Sequence, residues 1–267
     1  MEVEPLLAQL GEVADDLVLA GGQGQAFWVD QYAPAVPELK ADVEAHGPLT
    51  SKDIDFVPHQ WAAVQRCADR LRGEVQRASL DHATPNPVIV HFRDRRGYPR
   101  DIDFLDGLYG IRKPEEVYAW SLEVAFLDPD LARTGRRFRV IHPVLSMEAR
   151  LSNVVGLPKY RGEHGLRQAR ASIVCAREYV TRRLDTAPAH QVLKLNERIF
   201  DFRMSKTGRA AADRYGLEAF EAVCRDPRLP EDFHTIRYPQ MQRELERTRQ
   251  RDLDHRRRSP ARDDRER

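Results

Sequence analysis

Cysteine is scarce in this chain and none of it is clustered. Cys67, Cys175 and Cys224 are the only three, and no CxxC pair occurs. That excludes a thiolate zinc site and a disulfide framework; three isolated thiols read as small buried apolar residues in a reducing compartment. The nine histidines form no HExxH or comparable spacing, which argues against a zinc enzyme. No apolar run approaches the ~18 residues that a membrane span needs. The opening residues, MEVEPLLAQL, lack a basic region followed by an apolar run, so no secretion signal is expected and a cytoplasmic location is. Net charge is nearly absent as well. With 43 basic and 42 acidic side chains the formal charge is +1, so bulk electrostatics neither favours nor disfavours nucleic acid. Nor does the chain display an aromatic platform for stacking bases.

What is present suits a globular protein with a sizeable core. The 267 residues are 41% hydrophobic and 32% charged, enough for one large domain or two small ones. Residues 3–14 carry Val3, Leu6, Leu7, Leu10 and Val13 at helical spacing. The short run Leu17-Val18-Leu19-Ala20 then stops at Gly21-Gly22, which predicts a buried strand and a turn before a helix over 23–32. Residues 33–50 hold three prolines and read as a connection, with a helical turn near 39–43. Ile54-Asp55-Phe56 predicts a short strand, and 58–77 an amphipathic helix. Val88–Phe92 and Asp101–Leu105 flank Arg95-Arg96-Gly97-Tyr98-Pro99 as a hairpin. Further strands are expected at 122–127 and 138–141.

After Pro143 the pattern becomes helical, with segments at 145–155, 165–185, 188–199, 208–215 and 217–226. From Gln242 onward almost every residue is charged, which predicts a frayed tail. Its Arg256-Arg257-Arg258 cluster leaves room for an RNA-contacting arm. The expected organisation is an α/β domain over 1–140, a mixed sheet flanked by helices, then a helical domain over 141–241 and a charged tail over 242–267.

The sharpest chemical signal is Ser51-Lys52-Asp53-Ile54-Asp55-Phe56. In a strand, residues i and i+2 share a face, so Asp53 and Asp55 project together. Such a pair repels itself unless a cation sits between the two, and magnesium suits two carboxylates and phosphate oxygens. Asp101-Ile102-Asp103-Phe104 repeats the pattern. Asp103 is the preferred third acid because apolar residues bracket it; Asp101 is its rival. Three carboxylates on a sheet can hold two metal ions for phosphoryl or nucleotidyl transfer. Gly21 and Gly22, at a helix start, let backbone N–H groups approach a phosphate. Ser51 either caps a turn or touches phosphate, whereas Lys52 faces away. Lys159 and Arg161 can meet a triphosphate or an acceptor, and His164 lies near them. His142, before Pro143, reads as structural.

The order Gly21-Gly22, Asp53-x-Asp55, Asp103 resembles the DNA polymerase beta-type nucleotidyltransferase superfamily. Within it, the stretch from Gly21 to Phe27, Ser51 to Phe56, and His142 to Glu148 leading into Lys159 are similar to AbiEii-like proteins, known as toxins of toxin–antitoxin and abortive-infection systems. The likeness covers roughly residues 5–185. It implies a nucleotidyltransferase-type sheet, two Mg2+ ions on Asp53, Asp55 and Asp103, a nucleoside triphosphate at Gly21, Gly22, Ser51 and Lys159, an RNA acceptor and an antitoxin partner. Three features depart from the pattern. The connection between Gly22 and Asp53 is long, Gly22 stands where many members have Ser, and no Asp follows Lys159 at the usual place. Two other readings share these residues: a non-catalytic nucleotide- or partner-binding module, and a nucleotidyltransferase acting on a small molecule of the antibiotic type.

Overall fold

The computed structural model describes residues 3–78 and 87–258. Helix α1 (Val3–Leu10) buries Leu6, Leu7 and Leu10 and runs through a 3-10 segment (Gly11–Asp16) into strand β1 (Leu17–Leu19). All three β1 side chains are buried, as an uninterrupted apolar run requires of a central strand. Helix α2 (Gly21–Tyr32) follows after a single residue, Ala20. The proline-rich connection contains helix α3 (Pro37–His46), longer than the single turn expected, with Pro37 at its first position.

Strand β2 (Ile54–Pro58) precedes helix α4 (Ala62–Leu71). The helix predicted to reach residue 77 stops here, because Arg72 turns left-handed (φ 53°) and the chain returns as edge strand β3 (Glu74–Arg77). Strands β4 (Val88–Arg93) and β5 (Pro99–Phe104) form the predicted hairpin, with Gly97 (φ 81°) in its turn. Helix α5 (Glu115–Trp120), strand β6 (Leu122–Ala125), the short helix α6 (Pro129–Ala132) and strand β7 (Arg137–Val140) complete the sheet region. The seven strands run in the order β3-β4-β5-β2-β1-β7-β6. β2 pairs antiparallel with β1 and parallel with β5, and β1 pairs parallel with β7, so the sheet is mixed.

Beyond β7 the described chain is helical: α7 (Pro143–Gly156), α8 (Glu163–Arg182), α9 (Ala189–Met204), α10 (Lys206–Tyr215) and α11 (Tyr238–Arg258). The helix predicted over 217–226 is reduced to a 3-10 turn at Ala219–Ala222, whose Ala219 and Ala222 are nonetheless buried, as is Val223 after it. The segment from Gln242, expected to fray, instead continues α11 as far as Arg258. Met241 and Leu245, one turn apart, are buried, and Arg209 pairs with Asp252 at 3.1 Å, which fixes that helix to α10. Residues 259–267 of the expected tail, and the side chains of its arginine cluster, lie outside the described residues. No described helix is long and apolar enough to cross a membrane.

Helix α7 joins the two halves. Leu145 and Ala149 belong to the core under the sheet, while Val144, Met147, Leu151 and Val154 belong to the core of the helical region. The Trp28 indole in α2 donates to the Ile141 carbonyl at 2.8 Å, and the Ser146 hydroxyl donates to the Gln25 side-chain oxygen at 2.8 Å. His142 caps α7, its Nδ1 accepting from the Val144 N–H. Burial pushes the pKa of His142 down to about 3, so the ring is neutral, in keeping with the structural role expected of it.

Candidate active site

Parallel pairing sets Ile54 against Ile102, Asp55 against Asp103 and Phe56 against Phe104. Alternation along each strand then places the four apolar side chains in the core and both acids on the opposite face. Two carboxylates therefore stand side by side on neighbouring strands. Asp53 lies one residue before β2, is exposed, and borders the same cavity.

That cavity, of about 830 Å³, lies between the sheet and the helical region. Gly21, Gly22, Ser51, Asp53, Asp55, Asp103 and Lys159 all line it. The residues singled out from the sequence thus converge from four separate segments. Asp101 lies outside: it is exposed and bonded to His91 Nδ1 at 2.7 Å, while His91 Nε2 meets the Gln76 side-chain oxygen at 2.7 Å. Lys52 is exposed and away from the cavity, as expected.

The glycine pair is sterically required. Gly21 has φ +53°, and a Cβ there would stand 1.7 Å from Asp55 Oδ2. A Cβ at Gly22 would stand 2.2 Å from the Ser51 Cβ. With neither present, the start of α2 presses directly on the Asp55 side chain and on Ser51. The Gln23 side-chain amide donates to the Ser51 carbonyl, which holds the segment before β2 against α2.

The electrostatics follow from this crowding. Burial raises the pKa of Asp55, and Asp53 raises it further; Arg150, the Gly22 N–H and Lys159 oppose the rise. Burial likewise pushes Asp103 up to about 6, with Asp55, Asp53 and Asp101 adding repulsion. Burial and mutual repulsion thus outweigh the cations nearby at both acids. Among the described residues, no three His, Cys, Asp or Glu side chains are grouped closely enough to hold a metal ion by themselves. Magnesium requires no such grouping, since it is held through one or two carboxylates together with waters and substrate phosphates. The acidic, oxygen-only donor set and the mutual repulsion of its carboxylates fit that ion.

The helical wall holds residues that sequence reasoning passed over. Ser146, Arg150 and Asn153 of α7 and Gln168 of α8 line the cavity, as does Tyr160. Arg150 could have been flagged: it is a charge within a largely buried helix, where a charge demands a partner or a function. Lys159 sits in the 3-10 turn Pro158–Tyr160 between α7 and α8, with Nζ 5.0 Å from the centre of the Tyr160 ring. His164 also borders the cavity. Arg161, paired with Lys159 in the sequence reading, is used otherwise: its guanidinium donates to the carbonyls of Val154 and Val155 and closes the end of α7.

Set against known proteins, the chain matches no family model, no curated protein and no solved structure.

Proposed function

We propose that this protein is a magnesium-dependent nucleotidyltransferase, moving a nucleoside monophosphate from a nucleoside triphosphate to a hydroxyl acceptor. One observation carries the reading. Asp53, Asp55 and Asp103 share a single cavity with the glycine-opened N-terminus of α2, and Asp55 and Asp103 are in register on adjacent strands. A helix, a strand, a glycine pair opening the next helix, an Asp-x-Asp at the start of a strand and a neighbouring strand with a third acid follow the order of the polymerase beta-type resemblance.

Asp53, Asp55 and Asp103 would hold magnesium, which supplies Lewis acidity toward phosphate oxygens. The chain's own groups do the rest. Backbone N–H groups at the start of α2 face a triphosphate with the positive end of the helix dipole. Ser51 and Lys159 add a hydroxyl and a cation to the same cavity. The Asp103 carboxylate can receive the proton of the acceptor hydroxyl as that oxygen attacks the α-phosphate, the α–β phosphate bond breaks and pyrophosphate leaves. Similarity to AbiEii-like proteins favours an RNA acceptor and control by an antitoxin.

The test is incubation of the native chain with each α-labelled nucleoside triphosphate, magnesium and total RNA, beside an Asp53→Ala, Asp55→Ala variant. Label on RNA with the native chain alone supports the reading in full. Label on protein instead moves the acceptor class. No label on any acceptor, including a panel of small hydroxyl compounds, overturns it.

A further inference from the structure

Arg150 has a buried guanidinium without a matching anion. The side chain is 7% exposed, lines the cavity, and makes no ion pair among the described residues. One bond of 3.3 Å, from Nη1 to the Gln168 side-chain oxygen, holds it, and Nη2 has no hydrogen-bond partner. Asp55 acts on it across the cavity by charge alone. A buried cation left this way is costly, since Asp55 offsets its charge only at a distance and Nη2 has no acceptor. Gln168 is buried too and contributes an oxygen with no charge, so it can orient the guanidinium without neutralising it.

We infer that Arg150 is an anion-binding residue for the polyphosphate of the substrate, with Gln168 as its positioning residue. This rests on the nucleotidyltransferase reading for the ligand's identity and adds a residue to it. The planar guanidinium presents paired donors that match phosphate oxygens. Because Nη2 is covered, a phosphate reaches it by a small turn of the guanidinium, which the long bond to Gln168 restrains only weakly. Lys159 lines the same cavity, so a polyphosphate would meet two cations, one on α7 and one on the turn after it.

The experiment is calorimetric titration of the full chain with inorganic triphosphate, with and without magnesium, for the native protein and for Arg150→Gln and Gln168→Leu. Native binding is expected to weaken about 10- to 100-fold in Arg150→Gln, the worth of a charge-assisted hydrogen bond to a buried partner. Gln168→Leu is expected to weaken it severalfold while leaving every charge in place. Absence of native binding overturns the inference, as does unchanged affinity in a folded Arg150→Gln. Should Arg150→Gln not fold, unchanged affinity in Gln168→Leu is the overturning result. The two readings fail separately. Arg150-dependent triphosphate binding without nucleotidyl transfer keeps the subsite and removes the enzyme; transfer with kcat/KM untouched by Arg150→Gln does the reverse.

Discussion

At the scale of single residues, the site is a compromise between crowding and charge. Asp103 shows it best. Its carboxyl is pushed up to about 6 from an ordinary value of 3.8, chiefly by burial and then by Asp55 and Asp53. A raised acid pKa means that the folded chain holds the proton more tightly than the unfolded chain. Stability is therefore lost as pH rises from the unfolded value through the folded one. Asp103→Asn should thus be stabilised at pH 7 by about 1 kcal/mol after allowance for solvent screening, with the gain vanishing near pH ~4. Thermal unfolding at the two pH values checks this, and a destabilised variant at pH 7 contradicts it. The same substitution should abolish transfer. Gly21 makes a complementary point, because both its φ of +53° and the 1.7 Å approach to Asp55 forbid a side chain. Gly21→Ala should lower kcat/KM about 100-fold by displacing Asp55, in a chain that still folds. A variant with native activity would show that the glycine serves only the turn.

At the scale of elements, legibility tracked how much apolar pattern each segment carries. β2 and β5 could be read because Ile54, Phe56, Ile102 and Phe104 alternate with acids, and period two has one interpretation. β3 could not: Val75 is the lone apolar residue of Glu74–Arg77, and this edge strand is held by its ladder to β4. The arrest of α4 depended on a left-handed non-glycine residue, Arg72, that no composition announces. α11 was hidden for a related reason. Two buried side chains and a scatter of ion pairs, including Arg249 to Glu218 at 2.8 Å, fix a helix whose sequence reads as solvated throughout. Leu245→Ala should then cost about 2–3 kcal/mol in thermal or denaturant unfolding, as for a core leucine. No change in stability would mean that this helix is not docked.

At the scale of the whole molecule, the acids and glycines were legible because each group falls at a short, fixed spacing along the chain. The opposite wall was not, because Arg150 and Gln168 meet the acids only through the packing of α7 and α8. α7 carries that burden by serving both cores at once. Arg167 strengthens the arrangement, its Nε bonding Asp42 at 2.7 Å and its Nη groups meeting carbonyls at the end of α3, so α8 is tied to the connection leading into β2. One cavity with acids on the sheet and cations on the helices is the central feature of the molecule. Its chemistry is tested most directly by following two labels in parallel, one on the α-phosphate and one on the γ-phosphate of the same nucleoside triphosphate, with magnesium, acceptor and native chain. The expected result is α-label on the acceptor, γ-label released as pyrophosphate, and neither event in the Asp53→Ala, Asp55→Ala variant. Transfer of the γ-label to the acceptor, or equal α-label transfer by the variant, would contradict a nucleotidyltransferase built on these acids.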